Sequence, residues 1–213
     1  MGGGTALVVV DLQNDFCAGP SATARYGHDA ATLTAVVDNA AVAVEQARAA
    51  GIEVVFVRFL GDPVHQGAAW RRRDRELGKR PKCLDGTWGA TFHRVAPAPG
   101  ERVFTKLACF DAFLSEGFEP HLRERGVQRL VLAGLFADVC VDSTARTAFQ
   151  KGFAITVLND CTTSLHLPND AVWRFMTLVY GARVMPHTDA SWRALPPANG
   201  EGEEWTQPTG APA

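Results

Sequence analysis

The chain has 213 residues, 46% hydrophobic and 21% charged, which suits one globular domain with a sizeable core. Its formal net charge is −2, and its one basic cluster, Arg71-Arg72-Arg73-Asp74-Arg75, lacks interleaved aromatics and reads as a solvated face or subunit contact. Nothing in that balance points to nucleic acid or a membrane surface as a partner. The five cysteines, at 17, 83, 109, 140 and 161, are odd in number and lack CxxC spacing. They speak against a disulfide framework or a structural zinc site, and for a reducing, cytoplasmic setting.

Met1-Gly2-Gly3-Gly4 is not a signal peptide, and the myristoylation pattern fails at Ala6, where Ser or Thr is needed. Residues 5–10 (TALVVV) form a continuous apolar, β-branched run, the pattern of a strand buried on both faces. A long amphipathic helix is predicted over 30–50, closed by Gly51. Further strands are expected at 52–59, 102–105, 129–133, 154–158 and, as a short sixth, 182–185. Helices fill 119–125, 138–151 and 169–180, each ending at a glycine that precedes the next apolar segment. This is the rhythm of βαβ units. It implies an α/β fold, a three-layer α/β/α sandwich around a mostly parallel sheet of about six strands.

Two segments break the rhythm. Residues 61–100 are a Gly-, Pro- and Trp-containing excursion, longer than a compact domain carries without a use for it. Residues 195–213 are rich in Pro, Gly and Glu, so the domain is expected to span 1–194, with the remainder a mobile tail or an arm on a neighbouring subunit.

In an open parallel sheet, ligands bind beyond the carboxyl ends of the strands. Asp11 after the first strand, Lys106 after the third and Cys140 after the fourth can therefore share one crevice. A thiol in the first turn of a helix feels the positive end of the helix dipole, and the N–H groups of that turn can hold an oxyanion. Each residue also has an ordinary reading: Cys140 as a small core residue, Asp11 as a turn or cap aspartate, Lys106 as a strand-end lysine reaching solvent.

With these residues in view, the sequence resembles the isochorismatase-like family of cysteine hydrolases, which includes nicotinamidases, N-carbamoylsarcosine amidohydrolases and ureidoacrylate hydrolases. The matching stretches are residues 6–16 (ALVVVDLQNDF), 103–106 (VFTK), 130–141 (LVLAGLFADVCV) with Thr144-Ala145 and Ala148-Phe149, and 157–161 (VLNDC). The resemblance implies that Cys140 is the nucleophile, Asp11 its general base and Lys106 the cation that lowers the thiol pKa. It also implies a cis peptide at Leu135-Phe136, with the N–H groups of Phe136 and Cys140 forming the oxyanion hole. Two departures stand out: Ala137 replaces a frequent Thr, and the segment after Lys106 is one residue longer than usual.

The implied reaction is hydrolysis of the C–N bond of a small amide or carbamoyl compound through a thioester, without a cofactor. Vinyl-ether hydrolysis and a catalytically silent binding protein are the alternatives. Phe16, Trp88 and Phe136 are candidate walls of the substrate pocket. Asp62, His65 and His93 fit the metal motif of nicotinamidases poorly, because Asp62-Pro63-Val64-His65 has one residue too many, so no metal is expected. The partners expected are the small-molecule substrate and further copies of the chain, as a homodimer or homotetramer.

Overall fold

An apolar strand with no polar side chain to turn outward needs cover on both faces, and β1 (Gly4–Val10) receives it. In the computed structural model, which describes residues 4–18, 22 and 30–194, Leu7 and Val9 face one core while Ala6, Val8 and Val10 face the other. The tail expected from residue 195 onward lies outside the described residues. β1 sits centrally in a six-stranded sheet of order β3-β2-β1-β4-β5-β6. The other strands are β2 (Glu53–Leu60), β3 (Arg102–Leu107), β4 (Val127–Leu135), β5 (Ala154–Thr163) and β6 (Arg183–Met185), and every neighbouring pair is parallel.

After a one-turn helix, α1 (Asn14–Cys17), the long α2 (Ala30–Ala49) covers the Leu7/Val9 face. Its buried Leu33, Val36, Val37, Ala40, Ala43, Val44 and Ala47 recur at helical spacing, and the alanines let the helix sit close to the sheet. On the opposite face lie α4 (Phe118–Glu124), α5 (Asp142–Gln150) and α6 (Asn169–Tyr180), which bury Phe118 and Leu122, Ala145 and Ala148, and Val172 and Met176. Among the described residues no helix is long and apolar enough to cross a membrane.

The excursion over 61–100 holds α3 (Ala68–Glu76) and a short 3₁₀ turn, Trp88–Ala90. The sequence AAWRRRDRE gives α3 no apolar stripe; only Asp74 is buried and Trp70 half-buried, so periodicity alone does not reveal the helix. β5 runs five residues beyond the 154–158 expected, through the polar Asn159, Asp160, Thr162 and Thr163. The helix expected from 138 begins instead as a wide π-type turn, Ala137–Val141, in which the Val141 N–H bonds the Phe136 carbonyl, before α5 proper.

Candidate active site

Three strand ends meet at one point. Asp11 follows β1 directly, buried, with its backbone in the left-handed region at φ 53°. A side chain-bearing residue held there signals a backbone fixed by its surroundings. The Asp11 N–H bonds the Val57 carbonyl at 2.9 Å, and its carbonyl accepts from the Gln13 N–H at 2.7 Å. The residues that follow act as clamps. Buried Gln13 donates through Nε2 to the Phe59 and Ala90 carbonyls, both at 2.9 Å, and its Oε1 accepts the Phe59 N–H at 2.7 Å. Asn14 bonds the Trp88 carbonyl, Thr91 and His93, and Asp15 accepts the Cys83 N–H at 2.6 Å. Gly89 is required there: a Cβ would stand 2.3 Å from an Asp15 carboxylate oxygen. The short run after β1 thus fastens the whole excursion to the sheet end.

Lys106, on β3, is fully buried, and its stem passes the end of β2, with Nζ 5.7 Å from the Phe59 ring centroid. Nζ donates to Asp11 Oδ2 at 2.5 Å and to the Phe110 carbonyl at 3.0 Å. Asp11 Oδ1 has no hydrogen-bond partner among the described residues. The Cys140 thiol lines the same cleft as Asp11 and lies close enough to Asp11 and Lys106 to interact electrostatically with both. It is placed by β4, whose Gly134 packs so tightly on Val10 that a Cβ would come within 1.9 Å of the Val10 carbonyl oxygen. The Leu135–Phe136 peptide that follows is cis.

Burial dominates the electrostatics. It raises the Asp11 carboxyl above the ordinary 3.8, with Lys106 pulling partly back. Burial works to lower Lys106, but the Asp11 carboxylate and Cys140 outweigh it and hold the amine above the usual lysine range. Burial also pushes the Cys140 thiol well up, and Lys106 offsets only part of this. Lys106 thus pulls the thiol pKa down, in the direction expected of it, while burial pushes the other way more strongly. Desolvation of a buried thiolate works against ionisation, and the one nearby cation is already shared with Asp11.

Asp11 and Cys140 form the floor of a cleft of about 890 Å3. A chain of aromatic rings lines it: Phe136 meets Phe16 edge-on at 6.0 Å, Phe16 leans on Phe59 at 6.0 Å, Phe59 stacks on Trp70 at 6.1 Å, and Trp70 touches Phe110 at 4.9 Å. Leu165 and His166 also line it, held by Asp138, which accepts the N–H groups of Leu165, His166 and Leu167 at 2.7, 2.7 and 3.0 Å.

A profile of the isochorismatase domain matches residues 5–189. The chain is 33% identical over 174 residues to the ureidoacrylate amidohydrolase RutB of Pseudomonas syringae pv. syringae, covering 75% of this chain and 71% of that protein. The chain belongs to the isochorismatase family. Among solved structures, N-carbamoylsarcosine amidase from Thermoplasma acidophilum superposes with a TM-score of 0.73 at 29% identity, covering 87% of this chain and 98% of that one. Nicotinamidase PncA from Bacillus subtilis gives 0.68 at 25% identity, covering 85% and 99%.

Against that family background, Asp11, Lys106 and Cys140 come together, and Phe16 and Phe136 line the cleft. Trp88 does not: it is 59% exposed and outside the cleft wall, where the tryptophan is Trp70 from α3. The basic cluster is also not wholly a solvated face, since Arg73 and Asp74 line the cleft, paired at 2.6 Å, with Arg73 4.3 Å above the Trp70 ring. In the suggested metal motif, Asp62 Oδ2 accepts the Asp85 N–H, and His93 Nδ1 sits 2.7 Å from Asn14 Oδ1. Among the described residues, the donor atoms close enough to share an ion are those of Asp160, Cys161 and His187, within 4.8 Å of one another. There Asp160 binds the His187 backbone N–H at 2.8 Å and its ring at 2.7 Å, tying the end of β6 to β5. The clamping role of Gln13, Asn14 and Asp15 was not legible in the sequence, because their partners lie 46 to 79 residues away.

Proposed function

We propose that the chain is a cysteine-dependent amidohydrolase that opens the C–N bond of a small amide or carbamoyl compound through a thioester. The observation that carries this reading is the buried Asp11–Lys106 pair beside the Cys140 thiol at the cleft floor. Family membership and the amidohydrolase and amidase names of its relatives support it.

In this reading Oδ2 of Asp11 is engaged by Lys106, so the unpartnered Oδ1 takes the thiol proton as sulfur attacks the carbonyl carbon. The developing oxyanion accepts from the backbone N–H groups of Phe136 and Cys140. As the tetrahedral intermediate collapses, the C–N bond breaks and Asp11 gives its proton to the leaving nitrogen. Water then adds to the thioester, with Asp11 taking its proton; the C–S bond breaks and the proton returns to sulfur. Because burial holds the thiol pKa up, a base beside the sulfur favours attack.

The test is ammonia release from a panel of small amides and ureido compounds. Cys140→Ala is expected to lose turnover while keeping the circular dichroism and melting profile of the parent, and Cys140→Ser to retain at most a slow rate. Undiminished turnover in Cys140→Ala refutes the role.

A further inference from the structure

Two residues of β5 and one beyond β6 bring three different donor atoms together. The carboxylate of Asp160, the thiol of Cys161 and the imidazole of His187 each place one donor atom within 4.8 Å of the others, and none of the three residues lines the cleft. Neighbours on a regular strand point to opposite faces. Here the β4–β5 pairing jumps from Leu132 opposite Val157 to Gly134 opposite Thr162, and the extra residues of β5 let Asp160 and Cys161 turn toward one point. β5 and β6 pair with Leu158 opposite Met185, and the same register carried two residues on sets Asp160 opposite His187.

The spacing of these atoms fits a tetrahedral ion. Cys161 Sγ lies 3.5 Å from Asp160 Oδ1. A zinc ion with sulfur at about 2.3 Å and oxygen at about 2.0–2.2 Å holds those two atoms about 3.5–3.7 Å apart. His187 Nδ1 is 2.7 Å from Asp160 Oδ2, inside the corresponding nitrogen–oxygen edge of about 3.3–3.5 Å, so the ring draws back by about 0.7 Å as the ion replaces the hydrogen bond. The backbone on both sides is already held: Asn39 Nδ2 donates to the Asp160 carbonyl at 2.9 Å, and Trp192 Nε1 to the His187 carbonyl at 3.0 Å. Cys161 is fully buried, whereas the Asp160 side chain is 29% exposed, which leaves an entry path and room for water as the fourth ligand.

We propose that Asp160, Cys161 and His187 form a zinc site that staples the end of β6 to β5. The thiolate and imidazole select a borderline transition metal over magnesium or calcium, which take oxygen ligands. On binding, the thiol proton leaves to solvent, and the imidazole coordinates through Nδ1 with its own proton on Nε2. No CxxC spacing announces the site, because its donors are two adjacent residues of one strand and a third beyond the next strand. The site shares no residue with the cleft and stands apart from the hydrolase reading.

The test uses Cys140→Ala protein stripped with a chelator, so that the thiol of the cleft does not contribute. Titration with zinc against a chromophoric chelator is expected to show one equivalent bound, and cobalt(II) as a probe to give a thiolate-to-metal charge-transfer band. Zinc at a hundred times its Kd should raise Tm by about 5–10 °C, while the same concentration of magnesium leaves it unchanged. Adding Cys161→Ser should abolish the band. Adding Cys161→Ser, Asp160→Asn or His187→Gln should each weaken zinc by more than about tenfold, the least that even an outer-shell partner of a metal commands. Absence of zinc binding, magnesium stabilising as much as zinc, or a band and affinity that survive Cys161→Ser overturns the site and leaves a hydrogen-bonded clamp. Should Cys161→Ser fail to fold, His187→Gln decides, and undiminished zinc affinity there overturns the site.

Discussion

Replacing Lys106 with methionine should expose how much of the site is held by one ion pair. The amine is fully buried, 2.5 Å from Asp11 Oδ2 and 3.0 Å from the Phe110 carbonyl, and methionine fills its stem while removing both bonds. Asp11 then keeps a buried carboxylate whose Oδ1 already lacks a partner. Breaking a buried pair by removing one member costs about 3–5 kcal/mol. For a chain of this size each kcal/mol moves Tm by about 2–4 °C, so a fall of about 6–20 °C is expected in alkaline buffer. The sign of the pH dependence follows from Asp11. Its folded pKa already lies above 3.8 through burial, and losing Lys106 removes the chief influence pulling it down. The folded state therefore holds a proton that the unfolded chain has released, and stability falls as pH rises from 3.8 through the raised folded pKa. The deficit should be largest above that value and shrink in acid. Adding Asp11→Asn to Lys106→Met should recover much of the loss. Differential scanning fluorimetry across pH checks this. A deficit that does not change with pH, or a double variant no more stable than Lys106→Met, refutes the reasoning.

Two further outcomes follow from the same geometry. The acid limb of kcat/KM should lie above the ordinary carboxylate value of 3.8, activity falling as pH drops through the raised Asp11 pKa, as a pH–rate profile on the best substrate will show. Gly134→Ala combines a φ of 113° with a Cβ 1.9 Å from the Val10 carbonyl oxygen. It should cost about 4 kcal/mol or more, read as lost soluble yield or a collapsed melting temperature.

How far the sequence carries can be judged residue by residue. The run TALVVV announced a strand buried on both faces, because it offers no polar side chain for solvent. α6 was legible to the residue: Val172, Met176 and Tyr180 recur at four-residue spacing, and Gly181 closes the helix at φ 65°. α3 was not, since its inward positions are Trp70 and Asp74 among arginines, and only tertiary placement distinguishes them. The same limit explains the choice of tryptophan: Trp88 sits in a Gly-rich turn that suggested a pocket wall, but its backbone is captured by Asn14 and its ring is left outside. Asp11, Lys106 and Cys140 could be assigned to one crevice from their positions at strand ends. The upward push of burial on the Cys140 thiol could not, because it comes from the whole cleft rather than from the local helix start.

The measurement that bears most directly on the account is the intact mass of the protein, acid-quenched during turnover of its best ureido or amide substrate, followed by peptide mapping. A mass increase equal to the acyl group is expected, located on the peptide that contains Cys140 and absent from Cys140→Ala. Steady hydrolysis with the adduct on another residue, or at an undiminished rate in Cys140→Ala, would contradict it.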